Sequence, residues 1–200
     1  MFADLQRSSA LSRNLPSGAY FELIRALTTA IDAEVISHEG IVGKHAGDGV
    51  TAFFLSHDLG SDSGAARAAV ETAHGIGAAA RSTGERLAAD GHPVVPEDCL
   101  VNVGVHWGGA LYMGQVVTDG RLEVTALGDT VNEAARVQES ARGGAVLASK
   151  SVLERLEAGE AHALDVETDR LRYTTLAELP DATDKARRDA GGVAVTALTP

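Results

Sequence analysis

The apolar residues of this chain shift from helical spacing to alternation and back, and that shift limits what it can fold into. Tyr20, Leu23, Ile24, Leu27, Ile31 and Val35 recur at helical spacing behind Ser17, which predicts a long amphipathic first helix. Two extended runs follow, 40–44 and 50–55, separated by Ala46, Gly47, Asp48 and Gly49: a strand, a tight turn with a carboxylate at its tip, and a second strand. An Ala-rich stretch, 65–89, predicts a second helix, although Gly75, Gly77 and Gly84 each weaken it by about 1 kcal/mol relative to Ala. Helices alternating with hairpins predict an α+β sandwich, an antiparallel-rich sheet covered by helices.

The remaining chain continues the alternation. Residues 1–5 read as the end of a strand, and 100–106 alternates like another. Gly108 and Gly109 supply a turn, after which 110–117 is expected to return as the partner of 100–106. A tight turn at 118–120 precedes a strand at 121–127. Asp129 is expected to N-cap a helix over 130–141 that ends at Gly143 and Gly144, followed by a short strand, 145–148, and a brief helix, 149–157. Beyond Gly159 the periodicity fades until 193–198 closes as a strand. No internal repeat or low-complexity linker interrupts the chain, and 200 residues with 44% hydrophobic content suit one domain, 1–200.

Composition removes several functions. A formal charge of −11 argues against a nucleic-acid partner, which clustered Lys and Arg would have to grip. No run approaches the roughly 18 uninterrupted apolar residues of a membrane span, and no basic-then-apolar leader opens the chain, so no membrane contact by the chain itself is expected. Cys99 has no partner for an internal disulfide and sits in an apolar run, which predicts a buried inert thiol and a cytoplasmic setting.

Two pairs of residues carry candidate chemistry. Asp4 follows a strand-like start and Asp48 sits in a hairpin turn, so both can converge at one sheet edge, where paired carboxylates suit magnesium and bound phosphates. Asn132 and Arg136 stand four apart on one helix and project from the same face, where an amide and a guanidinium can grip a ribose and a phosphate. Taken separately, each pair also has an ordinary reading, as a turn residue with a frayed terminal charge and as a solvated helical face.

The order of the surrounding blocks decides between these readings. Phe2, Ala3, Asp4 and Leu5, with Ser8 and Ser9 after them, come first, then Lys44, His45, Ala46, Gly47, Asp48 and Gly49 with Ala52, Phe53 and Phe54. Gly104, Val105, His106, Trp107 and Gly108 follow, and then the run from Gly128 through Asp129, Val131, Asn132 and Ala134 to Arg136. This series resembles the class III adenylyl and guanylyl cyclases over 2–152, whereas 159–200 matches poorly. Trp107 is an atypical occupant of its block.

The resemblance implies a ferredoxin-like βαββαβ catalytic domain whose first strand extends several residues before Phe2. It implies that Asp4 and Asp48, with the carbonyl of Leu5, hold two divalent cations, Mg2+ or Mn2+. Lys44 and Thr125 would select adenine, with Thr125 standing where many relatives use Asp. Asn132 would orient the ribose and Arg136 would stabilise charge developing at phosphorus. Arg121 falls where a phosphate-binding Arg is common, and Lys185, or equally Arg187 or Arg188, would complete the triphosphate site. The family's pseudo-twofold arrangement implies a homodimer with two shared sites, converting ATP to cyclic AMP and pyrophosphate. Two alternatives stand beside this: a nucleotide-binding regulatory module that has lost catalysis, and a guanylate cyclase, which Lys44 disfavours.

Overall fold

A four-residue strand, β1 (Phe2–Leu5), runs through the middle of a seven-stranded sheet, with Ala3 and Leu5 buried and Phe2 and Asp4 partly so. The computed structural model describes residues 1–109, 112–118 and 121–198, and of 116–118 and 121–123 the backbone alone. After β1 come α1 (Ser8–Asn14), α2 (Ser17–Ser37), β2 (Ile41–Ala46), β3 (Gly49–Phe53), α3 (Asp62–Ala89) and β4 (Val101–Val105). Of these, β1, α2, β2, β3, α3 and β4 make the βαββαβ unit, with strand order β2-β3-β1-β4 and every neighbouring pair antiparallel. The ferredoxin-like α+β expectation therefore holds.

Burial on α2 follows the sequence spacing: Leu23, Leu27, Ile31 and Val35 are buried, and Tyr20 and Ile24 pack against the core partly covered. The helix meets α3, which contributes Val70, Ile76 and Leu87, and both cover the sheet residues Val50, Val103 and Val105. Each large apolar side chain withdrawn from water stabilises the fold by about 1.5–3 kcal/mol, more than the helix-propensity loss at any one glycine. Helix α3 starts at Asp62, three residues before the expected start, because the Ser61 hydroxyl accepts from the Gly64 amide at 2.9 Å.

The chain then forms β5 (Tyr112–Thr118), β6 (Arg121–Leu127), α4 (Asp129–Ser140) and β7 (Val146–Ser149). Here the structure corrects two expectations. The segment after Gly109 does not return along β4; β5 pairs with β6 in a separate two-stranded sheet, from Tyr112 opposite Leu127 to Thr118 opposite Arg121. Both edges of β4 are already taken, one by β1 and the other by β7 in parallel, so the hairpin leaves the main sheet and packs over β2. At its base Tyr112 and Leu127 are 78% and 69% exposed. The second correction concerns α4, whose N-cap is Gly128 at φ 137 with no side-chain cap; Asp129 is instead the first helical residue, where its charge still complements the helix dipole.

Helix α4 lies directly on β4. A Cβ added to Gly104 would stand 2.6 Å from the Gln138 Cα, so only a glycine lets the helix backbone approach the strand this closely. The rest of the chain, α5 (Lys150–Leu153), α6 (Ala158–Ala163), β8 (Thr174–Thr175), α7 (Asp184–Ala190) and β9 (Ala194–Leu198), completes the order β2-β3-β1-β4-β7-β9-β8. Helix α5 is shorter than the expected 149–157, and α1, α6 and α7 are helices that periodicity did not predict. In α7 the buried residues are Ala186 and Ala190, small enough to pack closely but too weak to mark an apolar face in sequence. No described helix is long and apolar enough to cross a membrane.

Candidate functional site

The register of the sheet brings the two carboxylates together. Ala3 pairs with Val50 and Ala46 with Gly49, so the Gly47-Asp48 turn closes over the end of β1, where Asp4 projects. Asp4 Oδ1 lies only 3.3 Å from where a Cβ on Gly49 would stand, and the two acidic side chains are within hydrogen-bond reach of each other. Burial pushes the Asp4 carboxyl up from its ordinary value of 3.8 to about 7, helped by the bond to Asp48 and by its charge, while the Leu5 amide works in the other direction. Oδ2 of Asp48 is buried without a hydrogen-bond partner. Repelling, partly dehydrated oxygens with one left unsatisfied are what a pair of cation ligands presents before its cation is supplied.

Two hydroxyls stand around this pair. Tyr20, a partly covered residue of α2, has its phenol raised by burial and then by the charges of Asp48 and Asp4, and it hydrogen-bonds Ser8 at the start of α1. Arg7, which joins β1 to α1, has φ 60, a left-handed conformation that non-glycine residues adopt at some cost. The sequence marked Tyr20 as a core position; its nearness to the carboxylates depends on how α2 lies across the sheet, which spacing alone does not reveal. Asp4 opens into a cavity of about 370 Å3 that also contains Asn102, Gln138, Glu139 and Arg142.

Helix α4, which borders that cavity with Gln138 and Glu139, carries the second pair. Asn132 is exposed, whereas Arg136 is buried, so they do not form a solvated face. Nη1 of Arg136 donates to both oxygens of Glu139, at 2.6 and 2.5 Å, and its Nε is buried with no partner. Glu139 was absent from the sequence reading; an acid three residues after an Arg on a helix was the available signal. Its charge also contributes to raising Asp4.

The remaining candidates are placed unevenly. Lys44 is exposed on β2, Thr125 is partly buried on β6 opposite Gly114, and β2 and β6 pack against one another. Arg121 opens β6, and its side chain lies outside the described residues. Helix α7 packs on α4, and the Asp189 carboxyl is held below its ordinary range first by its bond to Arg188, with Arg136 and Lys185 among the charges acting on it. Arg187 donates to the carbonyls of Ala177, Leu179 and Ala182, which ties it to the fold of the tail, and Arg188 pairs with Asp189. Lys185 stands exposed on the same helix.

The His106 block serves architecture. The imidazole Nε2 meets Glu133 Oε2 at 3.0 Å and pins the end of β4 to α4; burial lowers its pKa while Glu133 opposes the shift. Trp107 packs against the core with the Arg155 guanidinium 5.1 Å over its ring, which gives the atypical side chain a structural use. A larger cavity, about 580 Å3, opens between Phe53 and Phe54 on one side and His106 and Trp107 on the other, with Met1 at its floor. It contains none of Asp4, Asp48, Asn132 or Arg136.

Among the described residues no group of three or more His, Cys, Asp or Glu side chains forms a metal cage. A cation held by Asp4 and Asp48 would therefore take its other ligands from backbone carbonyls such as that of Leu5, from solvent and from a bound anion. Asp4 thus opens into a cavity that α4 borders with Gln138 and Glu139, and the same helix carries the buried guanidinium of Arg136.

The chain belongs to the adenylate and guanylate cyclase catalytic domain family, whose model matches residues 1–173. It is 32% identical over 155 residues to uncharacterized proteins of Mycobacterium bovis and Mycobacterium tuberculosis; the match covers 76% of this chain and 25% of those proteins. The chain thus spans about a quarter of the length of these relatives. In structure it resembles the guanylyl cyclase Cya2, with TM-score 0.72 and 17% identity over 98% of this chain and 88% of that one. It resembles the adenylyl cyclase CyaB from P. aeruginosa equally well, with TM-score 0.71 and 18% identity over 100% of this chain and 92% of the other. An adenylyl and a guanylyl enzyme fit alike, so the fold does not distinguish between them.

Proposed function

We propose that this chain is an adenylate cyclase, converting ATP to 3′,5′-cyclic AMP and pyrophosphate at two sites shared between the copies of a homodimer. The observation that carries the reading is the Asp4–Asp48 pair, half-buried, mutually repelling and left with an unsatisfied oxygen at the end of β1. The reaction joins the ribose 3′-oxygen to the α-phosphorus and breaks the bond to the bridging oxygen of the leaving pyrophosphate. Two divalent cations, Mg2+ or Mn2+, would be held by Asp4, Asp48 and the Leu5 carbonyl, and supply Lewis-acid polarisation of the attacking and leaving oxygens.

This chain's other residues bind and orient. Asn132, exposed on α4, holds the ribose so that its 3′-oxygen lines up with phosphorus, and Arg136 donates charged hydrogen bonds that strengthen as phosphoryl charge grows. Arg121 and Lys185 take the outer phosphates. Lys44 and Thr125, on two strands that pack together, offer a donor and an acceptor to adenine, and guanine would leave these groups mispaired. Working on ATP with its one thiol reduced, the chain acts in the cytoplasm.

The test is direct. The purified chain is incubated with ATP or GTP and with Mg2+ or Mn2+, and the cyclic nucleotide is separated and quantified. Cyclic AMP is expected with kcat/KM for ATP at least about tenfold above that for GTP. Equal efficiency on both nucleotides sinks the base assignment, and no product with either sinks the catalytic one.

A further inference from the structure

The guanidinium assigned to phosphate is already occupied. Arg136 is 7% exposed, so its charge is held inside the protein. Its Nη1 meets both oxygens of Glu139, and this carboxylate is the more open partner, with a side chain 38% exposed. Nε stays buried with no acceptor, so the guanidinium is one acceptor short even with Glu139 bound. A phosphate has three oxygens to offer and Glu139 only two, both spent on one nitrogen.

We propose that Glu139 sets nucleotide affinity in this chain: its carboxylate stands in for substrate phosphate on Arg136, and an incoming nucleotide must displace it. The proposal rests on the assignment of Arg136 to phosphate and adds a residue to that reading. Movement falls to Glu139, which borders the Asp4 cavity and has solvent to enter, while Arg136 keeps its place under α4. Glu139 thereby competes with a polyanion for the donor. Such a competitor is lost from the enzyme's charged hydrogen bonds on binding, so its removal appears in substrate affinity.

Glu139→Gln keeps shape and removes the charge. It is expected to lower KM for ATP about five- to tenfold with kcat changed less than about twofold, a gain on the scale of one net hydrogen bond. Binding of 3′-deoxy-ATP, which has no attacking hydroxyl, is measured alongside by calorimetry in Glu139→Gln, Arg136→Ala and the double variant, each checked by thermal melting. Tighter binding in Glu139→Gln that disappears when Arg136 is also replaced supports the proposal. Unchanged or weaker binding in Glu139→Gln overturns it, and so does a gain that persists without Arg136, which would report general charge repulsion. Loss of kcat and melting temperature with KM unchanged would make Glu139 a structural brace and also overturn it. If Arg136→Ala binds and turns over like the wild type, the phosphate assignment itself fails and takes the inference with it, an outcome distinct from the others.

Discussion

The carboxylate end of β1 and the buried face of α4 bury charge in opposite ways. Asp4 and Asp48 confront each other half-buried, and partial burial together with their mutual contact shows in the raised Asp4 carboxyl and the orphaned Asp48 oxygen. Arg136, more deeply enclosed, is already paired with Glu139. One half crowds like charges and the other holds a provisional counterion. A ligand that carries both signs, a cation bound to a polyphosphate, would satisfy both halves at once, and neither half alone is electrostatically complete.

The most severe way to break the contrast is to remove the uncompensated charge. Asp48→Ala is expected to cut turnover by at least about a thousandfold, since a cation ligand is lost, while the turn that carries it keeps the fold. Steady-state rates with a thermal melt of the same sample check this; activity within a few-fold of wild type would return Asp48 to the status of a turn residue.

Whether the two halves serve one site across two chains is the next question. Asp48→Ala and Arg136→Ala, each inactive, are expected to regain about a quarter of wild-type activity on mixing, because random pairing makes half the dimers mixed, each with one intact site of two. Differently tagged chains establish that subunits exchange. Exchange without recovery would place both halves in a single chain.

The halves meet through Gly104, on which the α4 backbone rests. Gly104→Ala is expected to cost about 1–3 kcal/mol of stability in chemical denaturation, the range of an overpacked core, and to reduce turnover by tilting Arg136 relative to the sheet. A variant as stable as wild type would mean that α4 slides without penalty.

The smallest effect is a matter of pH. The folded Asp4 carboxyl, at about 7, lies above its ordinary 3.8, so the folded chain binds this proton more tightly than the unfolded chain. The stabilisation from that proton is full below the ordinary value and is lost as pH rises through about 7. Asp4→Asn, always neutral, should therefore gain about 2–4 °C in Tm over wild type at pH 8 relative to pH 5. Mn2+ at pH 8 should raise the wild-type Tm and leave the variant unmoved; equal pH profiles would show that the pair is not in conflict.

Much of the architecture was legible because it rests on large apolar side chains at regular spacing. Leu23, Leu27, Ile31 and Val35 announced α2, and the Gly47-Asp48 turn announced the hairpin that carries a carboxylate to β1. Where packing relies on small residues, as with Ala186 and Ala190 in α7, no pattern rises above the background. The mistaken partner for β4 had another cause: pairing depends on which strand edges remain open, and β7, far along the chain, had taken that edge. The carboxylates and the Asn132–Arg136 pair were visible as ordered blocks. Tyr20 and Glu139 were not, because their relevance arises only once α2 and α4 lie against the sheet.

The detached hairpin of β5 and β6, with Tyr112 and Leu127 exposed at its base, has a consequence for dose. If shared sites form only when two copies meet, then at low concentration the cyclic nucleotide output rises with the square of the amount of chain, and at high concentration in simple proportion. Anything that gathers copies at one place would then raise the signal without altering a single residue of the site.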